Sequence, residues 1–272
     1  MFVRLLQDIP CDKFVPLAQT NNRVGVVVSG QKIYQLTNVC PHQNSLISCT
    51  PTDNLVCPYH GLKYDLQGQG QNHDYKLMQL PAFCHNNLVL TSRAAKHWPV
   101  DLQHMILQEY RVDKVAATVE IVMDVFLDID HIPHAHTGVY DQIGIHDTTT
   151  VQTHLYDDSC IQIVPGLTDL TIGQDRCVGA GAVWFAVYPG TMIEWQPGAL
   201  FVTVATNTHQ VHVFKYRDSR YPLATWYINS ATWEQAWNQD RQLAENIVTL
   251  PNLNLNNLKQ HHRDWLDNAV SQ

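Results

Sequence analysis

The 272-residue chain is 45% hydrophobic and 15% charged, the proportions of an ordered globular protein, and its length suits one large domain or two smaller ones. A formal net charge of -8, with 17 Lys and Arg that gather into no basic run, offers nothing to a phosphate backbone and argues against nucleic acid as a partner. The opening MFVRLLQDIPCD reaches Asp8 before an apolar signal segment develops. No window approaches the ~18 consecutive apolar residues of a membrane span, AVWFAV at 182–187 being the densest patch. A cytoplasmic protein without a membrane partner is the expectation.

Up to about residue 93 the chain is a series of short β-like runs, RVGVVVS, KIYQLT, NLVCPY and NNLVLTS, separated by Gly, Asn, Asp and Pro. The texture changes around AAKHWPVD, which predicts an all-β domain over 1–95 and a second domain over 96–272. In the second, the apolar spacing predicts helices over Arg111–Ile129 and Thr232–Val248. Strands are expected at VQTHLY, CIQIVP, AVWFAVYP, TMIEWQP, LFVTVATNTHQVHVFKY and LATWYINS, giving an α+β fold with an antiparallel sheet.

Seven cysteines, at 11, 40, 49, 57, 84, 160 and 177, are an odd number in a chain too long to need disulfide staples. Cys11, Cys49, Cys84, Cys160 and Cys177 read as small buried hydrophobes. Cys40 and Cys57 differ, because CPH at 40–42 and CPYHGLKYD at 57–65 place one thiol and one imidazole on each of two loops, with fourteen residues between His42 and Cys57. Zinc accepts two cysteines and two histidines, but its fingers usually put both cysteines on one knuckle. One of each per loop suits a [2Fe-2S] cluster in which one iron takes both thiolates and the other both imidazoles. Pro41 and Pro58 stiffen the tips, and Gly61 lets backbone crowd the cluster.

These residues resemble the Rieske motif in the form carried by Rieske non-haem iron oxygenases, which casts Cys40, His42, Cys57 and His60 as cluster ligands. Ser45 and Tyr59 stand where respiratory Rieske proteins carry a further cysteine pair, so that cross-link is absent. Gln43 and Leu62 depart from the Arg and the aromatic residue usual in the oxygenases, at positions that bear on donor docking and potential.

In DVFLDIDHIPHAHTG at 124–138, acidic residues and three histidines sit on an otherwise apolar helix. Asp128 and His131 share a helical face, whereas His131 and His136 would splay by roughly 140° on a regular helix. A break is needed, and Pro133 supplies it. By spacing alone His134 competes with His136 as the second ligand. Two imidazoles call for a carboxylate to complete one face of an iron(II) site with open positions. In TWEQAWNQDRQLAENIV at 232–248, Asp240 falls inside the apolar stripe Trp233, Ala236, Trp237, Ala244, Ile247 and Val248, with Thr232 and Gln235 as a capping box. The resemblance chooses among these: it makes His131, His136 and Asp240 the mononuclear-iron ligands, with Glu245 five residues beyond the last. Asp124, Asp130 and Asp141 are left as solvated or supporting groups and His134 as a local hydrogen-bonding residue.

The resemblance implies a small Rieske domain followed by a helix-grip (START-like) catalytic domain. It also implies a terminal oxygenase that hydroxylates or O/N-demethylates a small organic substrate with O2. Electrons would come from NAD(P)H through a separate reductase or ferredoxin, singly, by way of the cluster. In the family a head-to-tail homotrimer sets one subunit's cluster beside its neighbour's iron. Asp128 matches the bridging residue, accepting hydrogen bonds from His131 and from His60 across the interface. Trp184, Phe185, Tyr188, Met192, Glu194, Trp195, Phe201 and His209 are cavity candidates. An apolar pocket would take an aromatic or alicyclic compound, whereas Glu194 or an aromatic box with Trp195 would take a cation. The competing class is an electron carrier whose second domain docks partners or binds a ligand and holds no iron. A zinc-binding structural module is a third reading.

Asp128→Asn is expected to leave both metals in place and lower turnover, which metal analysis beside an NADH-coupled assay checks.

Overall fold

In the computed structural model, residues 2–30, 32–90, 97–140, 151–172, 175–247 and 257–270 are described. They divide into two units, Phe2–Lys96 and His97–Gln272.

The alternation of VGVVVS and KIYQLT makes the central hairpin of the first unit. Its strands are β1 (Phe2–Leu5), β2 (Phe14–Pro16), β3 (Val24–Ser29), β4 (Lys32–Thr37), β5 (Leu55–Val56), β6 (Lys63–Tyr64), β7 (Gly70–Gln71), β8 (Gln79–Leu80), β9 (Phe83–His85) and β10 (Leu88–Leu90). They form the sheets β2-β3-β4-β8, β5-β6-β7 and β1-β10-β9. Phe14, Val27, Leu36, Leu55, Tyr64 and Leu77 close a core that also takes in the Cys40 and Cys57 side chains, so both thiols are anchored from behind by apolar packing.

The second unit begins with β11 (Met105–Lys114), then α1 (Val119–Phe126) and α2 (Ile132–Ala135). Six strands follow: β12 (Gln152–Tyr156), β13 (Ser159–Ile172), β14 (Asp175–Val187), β15 (Thr191–Gln196), β16 (Ala199–Thr206) and β17 (Gln210–Asp218). The chain continues with α3 (Leu223–Asn246) and α4 (Asn257–Val270). One antiparallel sheet, ordered β11-β17-β16-β15-β14-β13-β12, carries a shared core with α1 and α3. Phe201 of β16 stacks on Trp233 and Trp226 of α3 at 5.1 and 6.0 Å, and Phe126 of α1 meets Trp237 at 5.8 Å. The architecture is α+β with a helix-grip arrangement, as the sequence led us to expect.

Several local expectations are corrected. The helical spacing over Arg111–Ile129 spans two elements: Arg111–Lys114 finishes β11, and α1 starts only at Val119, where the Thr118 hydroxyl accepts from the Ile121 amide at 3.4 Å. LATWYINS is not a strand but the first turns of α3, because Trp226, Asn229 and Trp233 fall on one helical face and Tyr227 and Ile228 face solvent. The helix starts after Pro222, so Thr232 lies buried in mid-helix and caps nothing. Cys11, Cys49 and Cys84 are exposed rather than buried; Cys160 is buried, and the Cys177 side chain lies outside the described residues.

An ion network fastens the sheet edge to α3. Arg111 contacts Glu234 at 2.9 Å, Asp113 at 3.0 Å and Glu109 at 2.6 Å. Lys215 of β17 reaches Glu234 at 2.5 Å and Glu109 at 3.1 Å, and Trp237 Nε1 donates to Asp113 at 2.7 Å. Burial works against ionisation of Glu109 and Glu234, but the hydrogen bonds and charges of Arg111 and Lys215 outweigh it and hold both carboxyls below the usual range. Their contribution to stability is present above the ordinary glutamate pKa and is lost as pH falls through the lowered values. Thermal midpoints measured from pH 7 down to pH 3 are expected to fall less steeply in Arg111→Met than in the wild type, since that substitution removes the main cause of the shift.

Candidate metal centres

The two cluster loops are built alike. Each begins with a buried cysteine and a proline, and each closes on a residue with positive φ, Asn44 at 55° and Gly61 at 70°. The Cys40 carbonyl accepts from the Asn44 amide at 2.8 Å, and the Cys57 carbonyl from the Gly61 amide at 2.9 Å. The Cys40 and Cys57 amides donate forward to Ser45 and Leu62 at 2.8 Å each. These turns bring the four predicted residues together, with the His42 and His60 rings 4.7 Å apart between centroids.

Burial would raise the Cys40 pKa, but the Tyr64 hydroxyl 3.2 Å from its sulfur and the amides of His42 and Gln43 reverse that and lower it. A thiol so placed is ready to act as a thiolate ligand. His42 Nδ1 is buried with no hydrogen-bond partner among the described residues. That is the condition of a ligand atom without its metal, and two thiolates with two imidazoles suit a Rieske cluster.

The second donor set comes from α3 and from the chain just beyond α1. The helix α1 ends at Phe126 and Asp128 leaves helical geometry at φ -92°, ψ 84°. Ile129–His131 then make a tight 3-10 turn that runs into α2. Pro133 sits in the first turn of α2, where a missing amide costs nothing, so it breaks no helix; the departures that reconcile His131 with His136 are the 3-10 turn that ends at His131 and the non-helical angles of the C-cap His136, φ -112° and ψ 30°. His136 is the C-cap of α2 and turns back over it.

His131 Nε2 lies 3.0 Å from His136 Nε2 and 3.2 Å from Asp240 Oδ1, and His136 Nε2 lies 2.9 Å from the same oxygen. Three ligands bonded at about 2.1 Å on mutually perpendicular axes would stand about 3.0 Å apart, so the spacing fits one face of an octahedral ion. Burial would raise the Asp240 pKa, but hydrogen bonds from both histidines outweigh it and the carboxyl is lowered. For His136 burial opposes the charged form, Asp240 and Gln239 oppose burial, and the pKa is raised. A cation at this place would meet the same carboxylate, and the donor set suits a divalent ion such as iron(II). His134 and Asp130 are exposed and take no part.

Gln239 was missed from sequence. Its Oε1 lies 2.8 Å from His136 Nδ1, which fixes that ring with Nε2 toward the triad. It precedes Asp240 on α3, and an inward carboxylate was the signal to examine its neighbours. Asp128 differs from expectation: its carboxylate pairs with Lys259 of α4 at 2.6 Å, while His131 Nδ1 is buried without a partner among the described residues. Asp124 is not solvated but buried and paired with Arg263. Glu245 accepts the Ala116 amide at 3.2 Å, and Asp141 lies outside the described residues.

A small cavity of about 50 Å³ opens beside the triad. His131, His136 and Asp240 line it with Phe126, Tyr140, Trp237 and others. Of the eight cavity candidates, Trp184, Met192, Glu194 and Phe201 line it. The other four do not: Phe185 and Trp195 alternate to the opposite face of the sheet, Phe185 against Trp98 at 5.4 Å. Tyr188 bonds His261 at 2.9 Å, and His209 bonds the Ala117 carbonyl at 3.0 Å.

Residues 1–83 match the family model of the Rieske [2Fe-2S] domain. Among solved structures, the chain is similar to the quaternary ammonium Rieske monooxygenase CntA in complex with an inhibitor, with a TM-score of 0.65 and 13% identity over 91% of this chain and 77% of the other. CntA in complex with its substrate L-carnitine gives 0.61 and 14% over the same shares. NdmA of Pseudomonas putida CBB5 with caffeine gives 0.54 and 15% over 90% of this chain and 80% of that one. No curated protein matches by sequence. The chain thus carries a Rieske domain and has the fold of the Rieske monooxygenases.

Gln239→Leu is expected to weaken iron binding at the triad by about 10–100-fold while the visible spectrum of the cluster is unchanged; competition with a chelator under anaerobic conditions measures it.

Proposed function

We propose that the chain is the terminal oxygenase component of a Rieske-type system, hydroxylating or demethylating a small organic substrate. One observation carries the reading: a carboxylate from α3 meets two imidazoles at 2.9 and 3.2 Å beside a cavity, in a chain whose first 83 residues match a Rieske domain. Cys40, His42, Cys57 and His60 would hold the cluster, and His131, His136 and Asp240 would hold iron(II). Iron in the triad would supply reductive activation of O2, fed by single electrons from the cluster.

The protein's own residues do the rest. Gln239 and Asp240 hold His136 in one orientation, so the donor atoms are set before metal arrives. Phe126, Tyr140, Trp184, Phe201 and Trp237 give the cavity apolar walls that displace water and position a substrate against the triad face. Asp128, three residues ahead of His131 and tied to Lys259, is the candidate bridge to the cluster histidine His60 of a second copy in a head-to-tail trimer. Electrons would enter from NAD(P)H through a reductase or ferredoxin. A quaternary ammonium Rieske monooxygenase of similar fold is described with inter-subunit electron transfer, which supports the same scheme here.

Protein purified without oxygen is expected to contain about three irons per chain, two in the cluster and one in the triad. Asp240→Ala should retain two, keep its cluster spectrum and lose substrate-dependent O2 uptake. A wild-type protein with only two irons would overturn the oxygenase reading in favour of an electron carrier.

A further inference from the structure

The cavity beside the triad holds a charged group that oxygen chemistry does not require. Glu194 sits on β15 with Trp184 of β14 and Phe201 of β16 as its direct cross-strand neighbours, so the three share one face. It is 6% exposed and lines the same cavity as His131, His136 and Asp240. Its hydrogen bonds come from neutral donors, Gln196 and the Trp184 indole. Among the described residues, no Lys or Arg lines the cavity. The next position along that cross-strand row, Lys215, is engaged by Glu234 and Glu109 at 2.5 and 3.1 Å and lies over Trp233. Burial pushes the Glu194 carboxyl up to about 7 against those two hydrogen bonds, and a cation bound beside it would favour its ionised form.

The walls favour the same kind of guest. Aromatic rings from Phe126, Tyr140, Trp184, Phe201, Trp233 and Trp237 surround the space, and their faces attract a weakly hydrated cation. Such a cation needs a counter-charge here, because iron(II) bound to a single carboxylate retains a net positive charge that would repel it. The Thr203 hydroxyl, cross-strand neighbour of Met192, also lines the cavity and is buried without a hydrogen-bond partner among the described residues. A guest with a polar atom beyond its charged head would satisfy it.

We propose that this cavity binds a methylated ammonium group, its charge held by Glu194 and the aromatic faces. The binding stands independently of redox chemistry; that the bound compound is the substrate rests on the oxygenase reading above.

The test is a titration of anaerobic, iron-loaded protein, followed by tryptophan fluorescence and calorimetry. The probes are choline and its neutral carbon isostere 3,3-dimethyl-1-butanol, which share shape and hydroxyl and differ in charge. Choline is expected to bind at least about tenfold more tightly than the isostere, the size of one modest charge contact. Glu194→Gln should erase that preference and Glu194→Asp retain part of it, with iron content and cluster spectrum unchanged in both. Equal binding of the two probes, no choline binding at 50 mM, or undiminished preference in Glu194→Gln would each overturn the proposal. The wild-type comparison needs no variant to fold. An iron count of two with choline preference intact would sink the oxygenase reading and leave the ammonium site standing.

Discussion

Asp240 projects a carboxylate from the helical face that also carries Trp233, Ala236 and Trp237, and in an apolar interior such a group is costly unless hydrogen-bonding partners or a cation meet it. His131 and His136 do so, at 3.2 and 2.9 Å, and nearly every other feature of the second unit follows from that meeting. The long helix α3 must lie across the sheet to bring Asp240 inward, which the stacking of Trp226 and Trp233 on Phe201 secures. The chain between His131 and His136 must depart from a regular helix, as it does at the 3-10 turn ending at His131 and at the C-cap His136, because an unbroken helix would turn one imidazole away. Remove the need for three converging donors and neither the interrupted helix nor the inward carboxylate has a reason to exist.

The two centres are held by opposite strategies. The proposed cluster ligands ride on loop tips, and their positions are set by a repeated backbone pattern: a cysteine carbonyl receiving an amide four residues on, closed by a left-handed residue. Side-chain packing enters mainly behind the sulfurs. The triad instead draws on elements far apart in sequence, so its precision depends on tertiary packing and on Gln239 fixing one ring. Local geometry suffices for the first and cannot serve the second.

That contrast explains what could be read from the sequence. Cys40, His42, Cys57 and His60 were legible because their spacing alone encodes two turns, and Asp240 because it interrupts an apolar period. Proline is the visible helix breaker, but Pro133 starts a short helix, and the departures from regular geometry fall at the 3-10 turn before it and at His136 after it, where no residue type announces them. LATWYINS misled because its aromatic and β-branched residues mimic a strand, and only the burial of Trp226 with Trp233 makes it helical. Arg111 looked helical by periodicity while its charge network places it on a sheet edge. Gln239 and Lys259 carry no pattern at all; their roles exist only once distant segments meet.

The segment that leads to His131 is pinned from far downstream, Asp128 by Lys259 and Asp124 by Arg263, both on α4. During synthesis, therefore, the nascent polypeptide can complete its N-terminal cluster loops long before the residues that steady the triad have left the ribosome. A metal held by His131, His136 and Asp240 would therefore be gripped firmly only once α4 has docked.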